Sequence, residues 1–198
     1  MRTGRLVVGI TGASGAIYAQ RFLRQAVQFY SEIYLILSDQ AIQVAQTELG
    51  VTITREPFTT AEWLGADYGQ IRLLEPKDFF TPPASGSFRH DGMVIVPCSM
   101  GTAGRIAHGI SDDLLSRSAD VCLKERRPLV LVPREMPWNV IMLRNMTTLA
   151  EAGAVVLPAC PAWYYKPESL EQLADTVVAR ILQQLGHTSS LVPEWQAQ

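Results

Sequence analysis

Five short runs of consecutive apolar residues set the tightest limit on what this chain can fold into. They are LVVGI (6–10), IYLIL (33–37), MVIVP (93–97), LVLVP (129–133) and AVVLP (154–158). Each is rich in β-branched residues and lacks the polar alternation of a strand with one wet face. Each therefore reads as a strand covered on both sides. Amphipathic patterns lie between most of them. Ala16, Ala19, Phe22, Leu23, Ala26 and Val27 share one helical face, and Leu114, Leu115, Ala119, Cys122 and Leu123 share another. The last pattern has the clearest ends, with Ser169 and Gln172 as a capping box and Gly186 as its stop. Strands alternating with helices predict an α/β fold, a three-layer, doubly wound, mostly parallel sheet. Ligands of such sheets bind at the carboxyl edge of the strands. Residues 52–90 read less regularly, as long loops around short elements.

Composition narrows the class further. With 198 residues, 47% of them apolar, the chain suits one domain over 1–198. A net charge of -2 favours neither nucleic acid nor an acidic membrane as partner. No basic, apolar leader is evident, and no apolar run approaches the roughly 20 residues of a membrane helix. Cys98, Cys122 and Cys160 are scattered and form neither a disulfide framework nor a zinc spacing, so a cytoplasmic protein is expected. The segment 187–198 carries Leu191, Val192 and Trp195 among polar residues and reads as a tail that docks on a neighbouring subunit.

The residues that bear chemistry follow the strands. TGASGA (11–16) links the first strand to a helix, and Gly9, Gly12 and Gly15 are spaced GxxGxxG. That is neither the dinucleotide fingerprint nor the P-loop. Its backbone N–H groups and the Ser14 hydroxyl suit a phosphate, while a tight turn needing only small residues is the plainer reading. VPCSMGTAG (96–104) repeats the grammar, with Ser99, Gly101 and Thr102 at the same edge; a simple N-cap by Ser99 is the alternative. Two such turns suit a mononucleotide or flavin bound across them. Cys98 has no basic neighbour in sequence and reads as a small buried residue. Arg134 and Glu135 follow a buried strand directly, which puts a charge pair at the ligand edge. Tyr164, Tyr165 and Lys166 follow the last strand, and Arg180 flanks the apolar stripe of the last helix. Arg117 and Lys124, seven residues apart, share a helix face. No carboxylate cluster suits a Mg²⁺-diphosphate site. The histidines show neither metal spacing nor a Ser/His/Asp order.

Together, GITGASGA, PASGS, VPCSMGT, ADVCLKERRPLVLVPRE and LPACPAWYYKPESLEQL resemble the UbiX flavin prenyltransferases from about Leu6 to Trp195. The resemblance implies a flavodoxin-like or Rossmann-like sandwich. It also implies an enzyme that joins the dimethylallyl group of dimethylallyl phosphate to N5 and C6 of reduced FMN, closing a fourth ring without metal. The product, prenylated FMN, then serves UbiD-type decarboxylases. Family members assemble as dodecamers with sites at subunit junctions. By the same resemblance, Gly12, Ala13, Ser14, Ser38, Ser99, Met100, Gly101, Thr102 and Arg134 contact FMN. Tyr164 and Arg180 contact dimethylallyl phosphate, and Lys124 and Glu135 surround the phosphate and the reacting ring. Ser85, Glu48, Arg117 and Trp195 lie near the site.

The chemistry needs such residue types. Lys124, Arg180 and the Tyr164 hydroxyl suit a leaving phosphate. Aromatic faces, Trp195 included, suit a cationic allyl fragment. Either Glu135 or the released phosphate takes the proton lost on ring closure. Two other readings stand beside this one. An FMN-dependent cysteine-type decarboxylase of the same fold would carry a catalytic histidine following the first helix and an Asn-bearing turn in place of PASGS; here no histidine precedes His90 and the turn has no Asn. A non-enzymatic flavin carrier explains the glycine turns but not Arg134, Glu135, Tyr164 and Arg180.

Overall fold

Side chains alternate across each strand, and this sorts the apolar runs between two faces. In the computed structural model, which describes residues 3–193, six strands pair in parallel. They are β1 (Arg5–Ile10), β2 (Glu32–Leu37), β3 (Ile71–Leu74), β4 (Met93–Cys98), β5 (Leu129–Pro133) and β6 (Val155–Val156), in the order β3-β2-β1-β4-β5-β6. Leu6, Val8, Ile10, Leu35, Val94 and Val130 point to one face, covered by α1 (Ala16–Phe29), α2 (Asp39–Leu49), α3 (Ala61–Leu64) and α7 (Leu170–Gln184). Val7, Ile36, Met93, Ile95 and Leu131 point to the other, covered by α4 (Met100–Ala107), α5 (Leu114–Lys124) and α6 (Val140–Glu151). The doubly wound, flavodoxin-like expectation is met, and the strand order is the Rossmann one.

That order decides where a ligand can sit. The chain leaves β1 toward β2 and β3, then returns beside β1 and winds the other way through β4, β5 and β6. The crossovers therefore part between β1 and β4, and a crevice opens outside their carboxyl ends.

Two expected details differ. The run at 154–158 narrows to Val155–Val156, although the Leu157 and Ala159 amides still donate to Leu131 and Pro133 at 2.8 and 3.0 Å. The Ser169 cap accepts from Gln172 N at 3.2 Å, but the Gln172 side chain reaches Glu168 N instead of closing the box. Gly186, in the left-handed region at φ 81, ends α7 as expected. Of the 187–198 segment, His187 folds back and stacks on Phe29 with centroids 4.5 Å apart. Residues 194–198, Trp195 included, lie outside the described residues. No helix among the described residues is long and apolar enough to cross a membrane.

One polar contact locks α7 to α1. Arg21 donates to both Asp175 oxygens, at 2.8 and 2.6 Å, and Asp175 is only 5% exposed. Asp175→Ala strands the guanidinium in a mostly buried position. We expect it to cost about 3 kcal/mol, the low end for breaking such a pair because Arg21 keeps some contact with water. Urea unfolding measures this as a lower midpoint at unchanged slope.

Candidate active site

Thr11 joins the two turns at the point where the crossovers part. It is buried, donates its hydroxyl to Pro97 O at 2.9 Å and accepts from Ser99 N at 2.7 Å. Both hydroxyl functions are used, so the β1 turn and the β4 turn are held in one fixed relation. Beyond Thr11 lies a cavity of about 350 Å³ lined by Thr11, Gly12, Ser38, Gln40, Ser99, Gly101, Thr102, Arg105 and Asp113.

Two helices begin on that cavity. Ser38 caps α2 by accepting from Ala41 N, and Ser99 caps α4 by accepting from Thr102 N. Each cap satisfies one orphan N–H, and the remaining N–H groups of the first turn face outward with the positive end of the helix dipole. Gly12 has to be glycine, because a Cβ there would stand 2.4 Å from Gln40 Cβ. Cys98, below this layer, is fully buried, and burial pushes its thiol up to about 12. It is the inert packing residue that its sequence context predicts.

The first turn departs from the sequence reading. α1 has no side-chain cap of its own; its N-cap is Gly15 at φ 110. Glu48, from the far end of α2, takes that place. Its carboxylate accepts from Gly15 N at 2.9 Å and Ala16 N at 2.8 Å. The helix start expected to cradle a phosphate thus already holds a carboxylate of the same chain, whereas the starts of α2 and α4 carry no such internal anion among the hydrogen bonds of the described residues. Burial disfavours charge on Glu48. Hydrogen bonds from the Ser14 hydroxyl and the Ala16 and Gly15 amides, with help from Arg134, outweigh it and hold the carboxyl below the usual glutamate range.

The other expected residues fall into groups. Arg134 and Glu135 are exposed at the end of β5, with Arg134 near Glu48 and with Glu135 Oε1 accepting from Met136 N at 3.0 Å. The Met100 and Ala13 side chains are buried, so only their backbone is available. Tyr164 and Arg180 line a separate cavity of about 360 Å³ between β6 and α7. The half-buried Tyr18 lies near Cys160 and Arg134. Burial and Cys160 push its phenol up, while Arg134 opposes them.

Lys124, Arg117 and Ser85 form a third group, away from the crevice. Asp113, at the start of α5, lines the crevice; Lys124 is its last residue, about 16 Å further along the axis. Lys124 pairs with Glu125 at 2.6 Å and lies 2.9 Å from where a Cβ on Gly86 would stand. Arg117 donates to Ala84 O at 3.1 Å, on the same flank. One chain therefore does not bring Lys124 to Arg134 and Ser14, in keeping with the subunit-junction sites that the resemblance implies. Sequence reasoning also missed Thr11, Gln40, Arg105 and Asp113. Only the position of Thr11, directly before the glycine turn, could have flagged any of them.

The flavoprotein family profile matches residues 1–182. The chain belongs to the flavoprotein family. The flavin prenyltransferase UbiX of Pseudomonas aeruginosa (strain PAO1) is 47% identical over 199 residues, covering 98% of this chain and 95% of that protein. The structure of AnUbiX (PadA1) in complex with FMN and dimethylallyl pyrophosphate superposes with a TM-score of 0.86 at 39% identity, covering 100% of both chains. A dodecameric FMN-dependent UbiX-like decarboxylase from Escherichia coli O157:H7 superposes with a TM-score of 0.85 at 38% identity, over 98% of this chain and 100% of that one.

Because its carboxyl titrates low in the folded state, ionised Glu48 contributes stability at neutral pH that is lost as the pH falls through its folded pKa. Glu48→Gln should therefore lower the urea midpoint at pH 7. The gap to the unaltered protein should close as the pH drops below the ordinary carboxylate range. A gap constant with pH would show that the charge at the start of α1 does not matter.

Proposed function

We propose that the chain is a flavin prenyltransferase that joins a dimethylallyl group, delivered as its phosphate ester, to reduced FMN. The whole-length match to UbiX flavin prenyltransferases carries this reading. The residues fit the flavin: two capped helix starts and the Thr11-fixed turns would hold its phosphate and chain, with Gly12–Ser14 and Arg134 toward the ring. Reduced FMN, when bound, supplies the nucleophilic nitrogen and carbon that the prenyl unit joins.

The protein's own groups have two tasks. One is to stabilise charge as the allylic C–O bond breaks and negative charge gathers on the leaving phosphate. Tyr164 and Arg180 share a cavity suited to that phosphate. Lys124, Arg117 and Ser85 would reach it from a neighbouring copy of the chain, within an assembly like that of the dodecameric relative. The other task is proton removal, which we give to Glu135, exposed beside Arg134 with its Oε1 accepting from Met136 N at 3.0 Å. We place the reaction in the cytoplasm, where its three free thiols stay reduced, with a UbiD-type decarboxylase as the user of the product. The cysteine-type decarboxylase reading finds no support in the site: the turn at residues 85–87 is Ser-Gly-Ser, and no histidine precedes His90.

Two experiments test this. Protein, reduced FMN and dimethylallyl phosphate, mixed without air, should yield a flavin heavier by one C5H8 unit; an unchanged flavin mass refutes the activity. Glu135→Gln should bind FMN as tightly as the unaltered protein but yield the completed product at least about 100-fold more slowly, the lower range for loss of a general base. Product formation at the full rate removes Glu135 from that role.

A further inference from the structure

α4 sets Gly101 and Arg105 one turn apart on the same face, and both line the crevice between the ends of β1 and β4. Arg105 is the cation among those lining residues. Its contacts are long. Nη2 lies 3.2 Å from Asp113 Oδ2 and 3.4 Å from Thr102 Oγ1, and Nε lies 3.5 Å from Asp112 Oδ1. Charge-assisted bonds of this kind usually close to about 2.7–2.9 Å. Nε is also shielded from solvent without a hydrogen-bond partner. A guanidinium carries five N–H donors, so most of its capacity here is unspent.

Nor does Asp113 depend on Arg105. Its carboxylate already accepts from Ser116 N and Ser116 Oγ, both at 2.7 Å, and so caps α5. The dependence runs the other way: two aspartates at the start of α5 hold a loosely engaged cation beside a cavity onto which two helices begin. Without Arg105, the full charge on that wall would be Asp113 alone, which repels an anion.

We propose that Arg105 recognises the phosphate of the flavin mononucleotide in this crevice, with Asp112 and Asp113 as the positioning residues that aim it. This rests on the flavin reading given above. It adds a dianion-recognising side chain to a subsite otherwise built from hydroxyls and helix starts, and it makes the phosphate, rather than the ring, the part of the flavin that this wall selects.

FMN and riboflavin differ only in that phosphate, so they separate the possibilities. Each is titrated into the full-length protein and into Arg105→Gln and Arg105→Lys, with flavin fluorescence as readout. Arg105→Gln should weaken FMN about 10- to 100-fold, the range for a hydrogen-bonded charge, and leave riboflavin within about twofold. Arg105→Lys, which keeps the charge but loses the planar fork, should fall between Arg105→Gln and the unaltered protein for FMN and leave riboflavin unchanged. It carries the test alone if Arg105→Gln does not fold. Equal weakening of both flavins, or FMN affinity unchanged in the variants, overturns the proposal. An unaltered protein that binds neither flavin defeats the flavin reading itself, and this one with it.

Discussion

The Thr11 hydroxyl is the contact on which the functional geometry depends. A doubly wound sheet gains its crevice by reversing direction, and at the reversal the neighbouring strands lead into turns that part from each other. The main chain joins those turns by a long bond, from Thr11 N to Pro97 O at 3.3 Å. The buried hydroxyl adds two shorter ones, donating to Pro97 O and accepting from Ser99 N. Through Ser99 the same contact reaches the cap of α4, since Ser99 Oγ also donates to Thr102 Oγ1 at 3.0 Å. The cavity wall is thus a chain of satisfied hydroxyls running from the end of β1 into the first turn of α4.

Charge is distributed by the same architecture. α5 runs back from the carboxyl edge of the sheet, so its two ends face opposite edges. Asp113 and Lys124 bracket α5 and cannot serve one site in one copy. The carboxyl edge keeps Arg105, Arg134 and Glu48, the margin beside β6 keeps Tyr164 and Arg180, and the flank of α5 keeps Arg117, Lys124 and Ser85. The proposed reaction, which holds a flavin and stabilises a departing phosphate, would draw on all three groups. This is the physical reason to place the site at a junction between copies. The outer face of α6 agrees with that placement: Val140, Ile141 and Leu143 are exposed there, with only Met146 and Leu149 of that helix buried.

Much of the fold was legible because burial on both faces leaves unbroken apolar runs, and β1, β2, β4 and β5 all show them. β3 was not, since Arg72 interrupts a four-residue strand at the sheet's edge. α6 was hidden because its apolar residues do not follow its buried face. The glycine and hydroxyl turns were legible from their place between a strand and a helix. Glu48 at the start of α1, and Arg105 held by Asp113, were not. Each depends on two helices meeting, and no local spacing records that. The same holds for the first turn, where a carboxylate from the next helix accepts from the Gly15 and Ala16 amides that local spacing offers to a phosphate.

If one copy supplies the flavin crevice and another supplies Lys124, mixed assemblies should reveal it. Lys124→Ala and Arg134→Ala chains, each expected to be inactive alone, are coexpressed with different tags and purified as hybrids. Hybrids should regain prenyl transfer, because some junctions join an intact crevice to an intact Lys124. Hybrids as inactive as either parent would place both residues in the same copy's site and contradict it.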